Sequence, residues 1–536
     1  MCGIAGIYNL NKEPVQPNLV KRMADSLAHR GPDGEGIWHT DDNTVLLGHR
    51  RLSIIDLSEA GQQPMHYMQR YVIIHNGEIY NYIELKEILK RKGYQFNSQT
   101  DTEVIAAAYD CWQQECLQQF DGMFAFAIYD KKEKKLFAAR DRFGEKPFYY
   151  YKDENAFVFS SEIKALWAAG INKKPNLQLL FNFITIGYSD NPEIPEETFF
   201  ENISKLPAAC FLDYSIEEKK LSVENYWDID LNNVDKTISD AEALEKFTAL
   251  FQTAVNRRMR SDVSIGCSLS GGIDSSNIAA TIQKLTGSTQ RFDCFTAYFK
   301  DYENDESGIA KEVAEQLDWQ QWLAPVTLND FMDDWEKLCY QQDEPVGSAG
   351  AYAQYKVYSL AASKGVKVLL DGQGADEVLA GYHKYYKWYW QELFRKMHLR
   401  SSGELKAARQ LGINEPFTIK NKIAAWFPGF ASIVMERQYL LKAIRQEDLN
   451  KDFVQLQSKE AYYTPPEYFN LNGLLYFNTR THGLEELLRY ADRNSMAHGR
   501  EVRLPYLSHE LVEFIFSLPS HFKIRNGRTQ WLLREF

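Results

Sequence analysis

Residues 263–276 read Val263-Ser264-Ile265-Gly266-Cys267-Ser268-Leu269-Ser270-Gly271-Gly272-Ile273-Asp274-Ser275-Ser276. An apolar run, Val263–Ser268, passes through Gly271–Gly272 into a helical pattern near Ser275–Leu285. Successive backbone N–H groups and serine hydroxyls at the start of a helix make a nest for an anion. A Walker loop would need Lys-Ser/Thr where Gly272-Ile273 stand, so this is a different phosphate loop. The same rhythm recurs outward from it. Arg291–Phe299 leads to a helix over Glu306–Leu317, and Val366–Leu370 leads through Gly372 and Gly374 into another. Strands alternating with helices predict a parallel α/β sheet, with a ligand site at the carboxyl ends of its strands. Past Gly381 the chain reads as helical and rich in aromatics.

Upstream the pattern is different. Short strands are predicted at Gly3–Tyr8, Val45–Leu47, Tyr71–His75, Phe124–Tyr129, Leu136–Ala139 and Phe157–Ser160. Helical periodicity appears at Leu19–Leu27, Tyr82–Lys92 and Thr102–Trp112. That mixture suits sheets covered by helices, an α+β domain. From Leu221 to Asp240 the chain turns polar and irregular, as a linker would. The expected division is a first domain over 1–215, a linker over 216–240 and a second domain over 241–536.

The chain has 536 residues, too many for one core, and 44% apolar residues, an ordinary globular share. Its net charge of −12 argues against binding nucleic acid or an anionic membrane. The longest mostly apolar run, Ile423–Met435, is short and interrupted by Pro428-Gly429, so no transmembrane helix is expected. The N-terminus has no basic segment before an apolar stretch, which excludes a signal peptide. Cys2, Cys111, Cys116, Cys210, Cys267, Cys294 and Cys339 are scattered, with no C-x-x-C pair. Reduced thiols in a cytoplasm fit that pattern better than disulfides or zinc.

Cys2 follows only Met1 and opens a strand. Removal of Met1 would give Cys2 a free α-amine of pKa about 8, able to act as base for its own thiol. A cysteine at this position, taken alone, is more often incidental. Its company changes the reading: Arg30-Gly31-Pro32-Asp33-Gly34, Gly48-His49-Arg50-Arg51-Leu52-Ser53-Ile54, Asn76-Gly77-Glu78-Ile79-Tyr80-Asn81 and Arg140-Asp141-Arg142-Phe143-Gly144 follow in order. Each sets polar groups or glycine at the end of an apolar strand. An amide-hydrolysis site needs a guanidinium for the α-carboxylate, acids for the α-ammonium and donors for the oxyanion.

These motifs resemble the class II glutamine amidotransferases, whose N-terminal cysteine is the nucleophile and whose fold is an αββα sandwich of the N-terminal nucleophile type. The resemblance implies that Cys2 attacks the glutamine amide, and that Asn76 and the N–H of Gly77 form the oxyanion hole. It implies glutamine binding by Arg51, Leu52, Ser53, Ile54, Ile55, Asn76, Gly77, Glu78 and Asp101. Arg51 would hold the carboxylate, with Arg50 its rival, and Glu78 and Asp101 the ammonium.

The loop Ser268–Ser276 in turn resembles that of the ATP pyrophosphatases, which transfer AMP to an oxygen and release pyrophosphate. An aspartate beside phosphates needs a cation between them, so Asp274 is assigned to Mg²⁺. Its partner is expected in the next loop, Asp371-Gly372-Gln373-Gly374-Ala375-Asp376-Glu377, where the resemblance makes Asp376 the second Mg²⁺ ligand. ATP binding is expected at Leu269, Ser270, Gly271, Gly272, Asp274, Ser275, Ala297, Asp371 and Gly372.

The combination is similar to the glutamine-hydrolysing asparagine synthetases along nearly the whole chain, through Ser160–Leu166, Asp343-Glu344-Pro345, Leu488–Met496 and Glu501–Leu507. The implied reaction forms an aspartyl-adenylate from aspartate and MgATP and amidates it with ammonia carried inside the protein from glutamine. A homodimer is the family's tendency. Two departures stand out. The family's adenylate-forming glutamate is Gln373 here, while Asp371 replaces a serine; Asp371, Glu377 or Asp343 would then restore the charge. The chain also ends at Leu532–Phe536, within the family's last helical region, so a shortened or impaired ATP half is expected. The alternatives are a relative acting on another carboxylate, such as a sugar acid or a peptide side chain, and a non-catalytic regulatory relative.

Overall fold

The computed structural model describes residues 1–11, 13–215, 220–287, 290–459 and 462–536. Its first part is two antiparallel sheets face to face. One runs in the order Ile203–Lys205, Tyr149–Lys152, Ala156–Ser160, Cys2–Asn9, Val45–Arg51, Gly34–His39. The other runs Lys220–Asn225, Cys210–Ser215, Lys135–Arg140, Gly122–Asp130, Tyr71–Ile79, Met65–Tyr67. The strand Gly122–Asp130 explains why these strands look continuously apolar. Phe124, Phe126 and Ile128 pack outward with Val104, Ile105 and Ala108 of the helix Asp101–Trp112. The alternate residues Ala125, Ala127 and Tyr129 pack inward, against Ile4, Val45 and Leu47 of the facing sheet. Both faces are covered, giving the expected αββα sandwich. Burial of each such phenylalanine contributes roughly 2–3 kcal/mol.

The second part is a five-stranded parallel sheet in the order Gln320–Pro325, Asp293–Tyr298, Ile265–Ser268, Val368–Leu370, Glu501–Arg503. Cys267 pairs with Leu370 across neighbouring strands, so the two glycine loops that follow leave the sheet side by side. Helices run through most of 375–496, as expected.

The charged strand Glu501-Val502-Arg503 was not anticipated. It is wholly buried because Arg503 Nε donates to Glu501 Oε1 at 2.6 Å. The expected linker also needs correction. Lys220–Asn225 is an edge strand whose exposed face is polar, and Trp227 and Ile229 are buried in the second domain's core. Residues 216–219 lie outside the described residues. Among the described residues no helix is long and apolar enough to cross a membrane.

Candidate active sites

The first pocket is built at strand ends. Cys2 faces Arg51 across the ladder, its N–H donates to Asn76 Oδ1 (2.9 Å), and Arg30 Nε donates to its carbonyl (3.0 Å). Leu52, Ile54, Ile55, Gly77, Glu78 and Asp101 join Cys2 and Arg51 in the lining. Asn76 Nδ2 is buried without a hydrogen-bond partner on the side chain whose Oδ1 holds the Cys2 N–H, although Asn76 itself is not among the lining residues. Gly77 has φ of 145°, and a Cβ there would lie 2.0 Å from Met123 O, so only glycine brings this N–H into place. Ser53 turns its N–H to Asp33 Oδ2 instead (2.9 Å).

Arg51 also shapes the loop that follows it, donating to Ser58 O (2.9 Å) and Asp56 O (2.5 Å). Arg50 faces the outer helix side, paired with Asp25 and Glu35, and is not among the residues that line the pocket. Burial, joined by Asp101 and Glu501, raises the Glu78 carboxyl well above its usual range, opposed by Arg503. Asp101 accepts from Ile79 N (2.8 Å), yet burial holds it at about 6. Burial also raises the Cys2 thiol, opposed by the nearby ammonium, the Leu52 N–H and Arg51. The Met1 ammonium lies 2.8 Å from buried Glu501 of the second domain. Gly61, Gln63, His75, Thr100 and Thr102 also line the pocket, and none of them was singled out from the sequence.

The second site is a cleft of about 320 Å³ at the carboxyl ends of the parallel strands. Leu269, Ser270, Asp274, Ser275, Ala297, Asp371, Gly372, Gln373 and Asp376 line it. The helix Ile273–Thr286 starts at Gly272 with no side-chain cap, leaving its first N–H groups toward the cleft. Gly271, at φ 85°, turns tightly against Ala310. Both backbone groups of Leu269 are already engaged, its N–H by Phe295 O and its carbonyl by Thr296 Oγ1. Gln354, Tyr358 and Val357, from a helix that sequence reading passed over, form the opposite wall.

Asp274 and Asp376 both lie within hydrogen-bonding reach of Gln530 Nε2, at 2.7 and 3.1 Å. Two acids this close suit one divalent cation, with waters and phosphates completing an oxygen shell. Burial, with Asp376 next, lifts Asp274 to about 8, so the pair needs positive charge to ionise together. Of the three candidates for the missing charge, only Asp371 lines the cleft; it accepts from Gln373 N (3.1 Å) and Tyr358 OH (3.4 Å). Asp343 is bound instead to Lys164 (3.0 Å), and Glu377 accepts from Tyr382 OH (2.5 Å).

Comparison with known proteins joins the two sites. Residues 1–227 match the glutamine amidotransferase domain family, and residues 246–536 match the asparagine synthase family. Asparagine synthetase [glutamine-hydrolyzing] 1 of Bacillus subtilis is 32% identical over 553 residues, covering all of this chain and 84% of that protein. The chain belongs to the glutamine-hydrolysing asparagine synthetase family. The putative asparagine synthetase [glutamine-hydrolyzing] 2 of Methanocaldococcus jannaschii is 36% identical over 417 residues, 74% of this chain and 78% of that one. More distant is amidase chry2 of Gibberella zeae, 26% identical over all of this chain and 86% of its own length.

In this asparagine synthetase homologue a buried ionic network ties the halves together. Arg30 grips Asp492 with both terminal nitrogens (2.8 and 3.0 Å) and Glu162 with one (2.8 Å). Arg493 reaches Glu162 (3.0 Å), and Lys146 reaches Asp492 (3.4 Å). Beyond it, Gln342 donates to Asn494 Oδ1 (2.8 Å), and Asn494 Nδ2 lies 3.2 Å from Gln354 Oε1 in the wall of the second cleft. Removing one partner of such a buried pair typically costs 3–5 kcal/mol. Arg30 and Asp492 lie in separate motifs, and folding alone brings them together.

Proposed function

We propose that the protein makes asparagine: aspartate, glutamine, ATP and water give asparagine, glutamate, AMP and pyrophosphate. Cys2, freed of Met1, attacks the glutamine amide. The Cys2 α-amine takes the thiol proton and passes it to the leaving nitrogen. Asn76 Nδ2 and the Gly77 N–H hold the oxyanion, and water then releases glutamate. Arg51 orients the α-carboxylate, and Glu78 and Asp101 the α-ammonium, with Leu52, Ser53, Ile54 and Ile55 forming the walls. The observation that carries this half is the unpartnered Asn76 Nδ2 beside Cys2.

In the second half, Ser270, Gly271, Gly272 and Ser275 cradle the phosphates of ATP, while Leu269, Ala297 and Gly372 border the nucleotide. Asp274 and Asp376 would hold Mg²⁺, which supplies charge neutralisation on the phosphates. Asp371 takes over the negative charge that Gln373 lacks, and the aspartate carboxylate displaces pyrophosphate. Ammonia crosses beside the buried polar row from Arg30 to Gln354. A reducing cytoplasm that keeps the seven free cysteines as thiols and a homodimer belong to the same reading. Gln373, whose buried Oε1 has no partner, favours one second reading, in which another carboxylate is the acceptor.

The test is incubation with MgATP, glutamine and aspartate while asparagine and pyrophosphate are followed together. Equal release is expected. Glutamate with neither product would overturn aspartate as the acceptor.

A further inference from the structure

The two acids of the ATP cleft are joined by a side chain that no motif points to. Gln530, 3% exposed, precedes the last helix, Trp531–Glu535, and sets Nε2 against both Asp274 Oδ1 (2.7 Å) and Asp376 Oδ1 (3.1 Å). A carboxamide nitrogen carries two N–H donors and no acceptor. With both acids ionised, reversing the amide would set its oxygen against two carboxylate oxygens. Gly381 leaves room for the arrangement: a Cβ there would lie 1.6 Å from Asp376 Oδ1 and 3.0 Å from Gln530 Nε2.

The turn bearing Gln530 is held on both sides. Asn526 and Gly527 N–H donate to Glu404 (2.8 and 2.9 Å), and Trp531 N–H donates to Lys523 O (3.0 Å). Gln530 itself has φ of 51°, a left-handed backbone that non-glycine residues seldom adopt without cause. Among the described residues, no lysine or arginine forms an ion pair with either acid; Gln530 donates to both, and the Arg534 charge acts on Asp274 only from farther away. Phe536, at the end of the same segment, packs edge-on against Phe247 and Phe251 (5.8 and 5.4 Å).

A divalent cation shared by the two acids takes oxygens that Gln530 now engages. Nε2 lies against both Oδ1 atoms, where a cation bridging those two oxygens would sit, so its N–H groups and the cation compete for one position. We propose that Gln530 competes with the cation: cation binding displaces its carboxamide and loosens the turn that seats the last helix. The cleft thereby couples metal occupancy to the C-terminal segment. This rests on Asp274 and Asp376 as the cation's ligands.

Titration of the full chain with Mn²⁺, read by electron paramagnetic resonance, tests both layers. Asp376→Asn should abolish specific binding. Gln530→Leu, which removes the competitor, should bind Mn²⁺ roughly ten-fold tighter, the scale of one charge-assisted hydrogen bond. Hydrogen exchange over 523–536 should quicken with Mn²⁺ in the parent protein and be indifferent to it in the leucine variant. Should leucine prevent folding, Gln530→Asn, one methylene too short to span both acids, carries the same expectation. Loss in Asp376→Asn with unchanged or weaker binding in the Gln530 variants would overturn the competition alone. Unchanged binding in Asp376→Asn would overturn the metal assignment, and the competition with it.

Discussion

The two sites are prepared in opposite ways. The N-terminal pocket draws its expected residues from positions 2–101, on adjacent strands and one helix start, and leaves buried groups unpaired: Asn76 Nδ2, Glu78 Oε2 and His75 Nε2. Those groups already bear a desolvation cost that a substrate's polar atoms would relieve. The ATP cleft gathers residues from 268 to 376, with Gln530 behind them, and its acids are satisfied by that glutamine. One pocket is set to receive its ligand; the other must exchange an internal partner for one. A rigid sandwich can hold unpaired groups in place, whereas loops at strand ends can give up a contact without unfolding the sheet.

The largest expected effect tests whether the sites are separable. Cys2→Ala should lower glutamine hydrolysis by at least about 10³-fold, because no other thiol lines the pocket. With ammonium supplied instead of glutamine, pyrophosphate release should stay within about two-fold of the parent, as expected for distant sites. Loss of both activities would break the comparison, making the N-terminal pocket a structural part of the other.

Next comes the charge in the cleft. Asp371→Asn should reduce pyrophosphate release by about 10², the usual weight of a positioned carboxylate. Gln373→Glu should change it less than about ten-fold, since a second carboxylate adds little where Asp371 already serves. Steady-state pyrophosphate assays decide between them. A large gain from Gln373→Glu with a silent Asp371→Asn would mean that the cleft lacks its charge.

This asymmetry also governs what the sequence revealed. Most N-terminal residues were legible because they lie in short motifs at the ends of apolar strands, and the ladder then brings Cys2 to Arg51; Asp101, at a helix start, came from the family resemblance alone. The glycine loops after Ser268 and Leu370 were legible for the same reason. What escaped was long-range. Arg30 meets Asp492, and Gln530 meets Asp274, through packing between domains or across helices, with no local pattern to announce it. The strand Glu501–Arg503 was hidden because its charges neutralise each other inside the core, where hydropathy predicts apolar residues. Lys220–Asn225 was hidden by its exposed face, and Trp227 by its polar neighbours.

The smallest expected effect separates the pockets by pH. Burial holds Asp101 at about 6, above the ordinary carboxylate range, so it is neutral below that pH and charged above it. Its role toward the α-ammonium requires the charged form. The KM for glutamine should therefore rise as pH falls through 6, approaching roughly ten-fold per unit on the acid side, while kcat changes less. Asp101→Asn removes the titrating group: KM should be high throughout and lose the acid limb. Folding stability runs the other way. A carboxyl raised in the folded state binds more protons there than in the unfolded chain, so its contribution is fully present below about 4 and lost as pH rises through about 6. Asp101→Asn should accordingly flatten thermal stability across that window, measurable by calorimetry. An acid limb that survives in Asp101→Asn would assign the titration to another group, with Glu78 the first to examine, since the same burial raises it beside the same pocket.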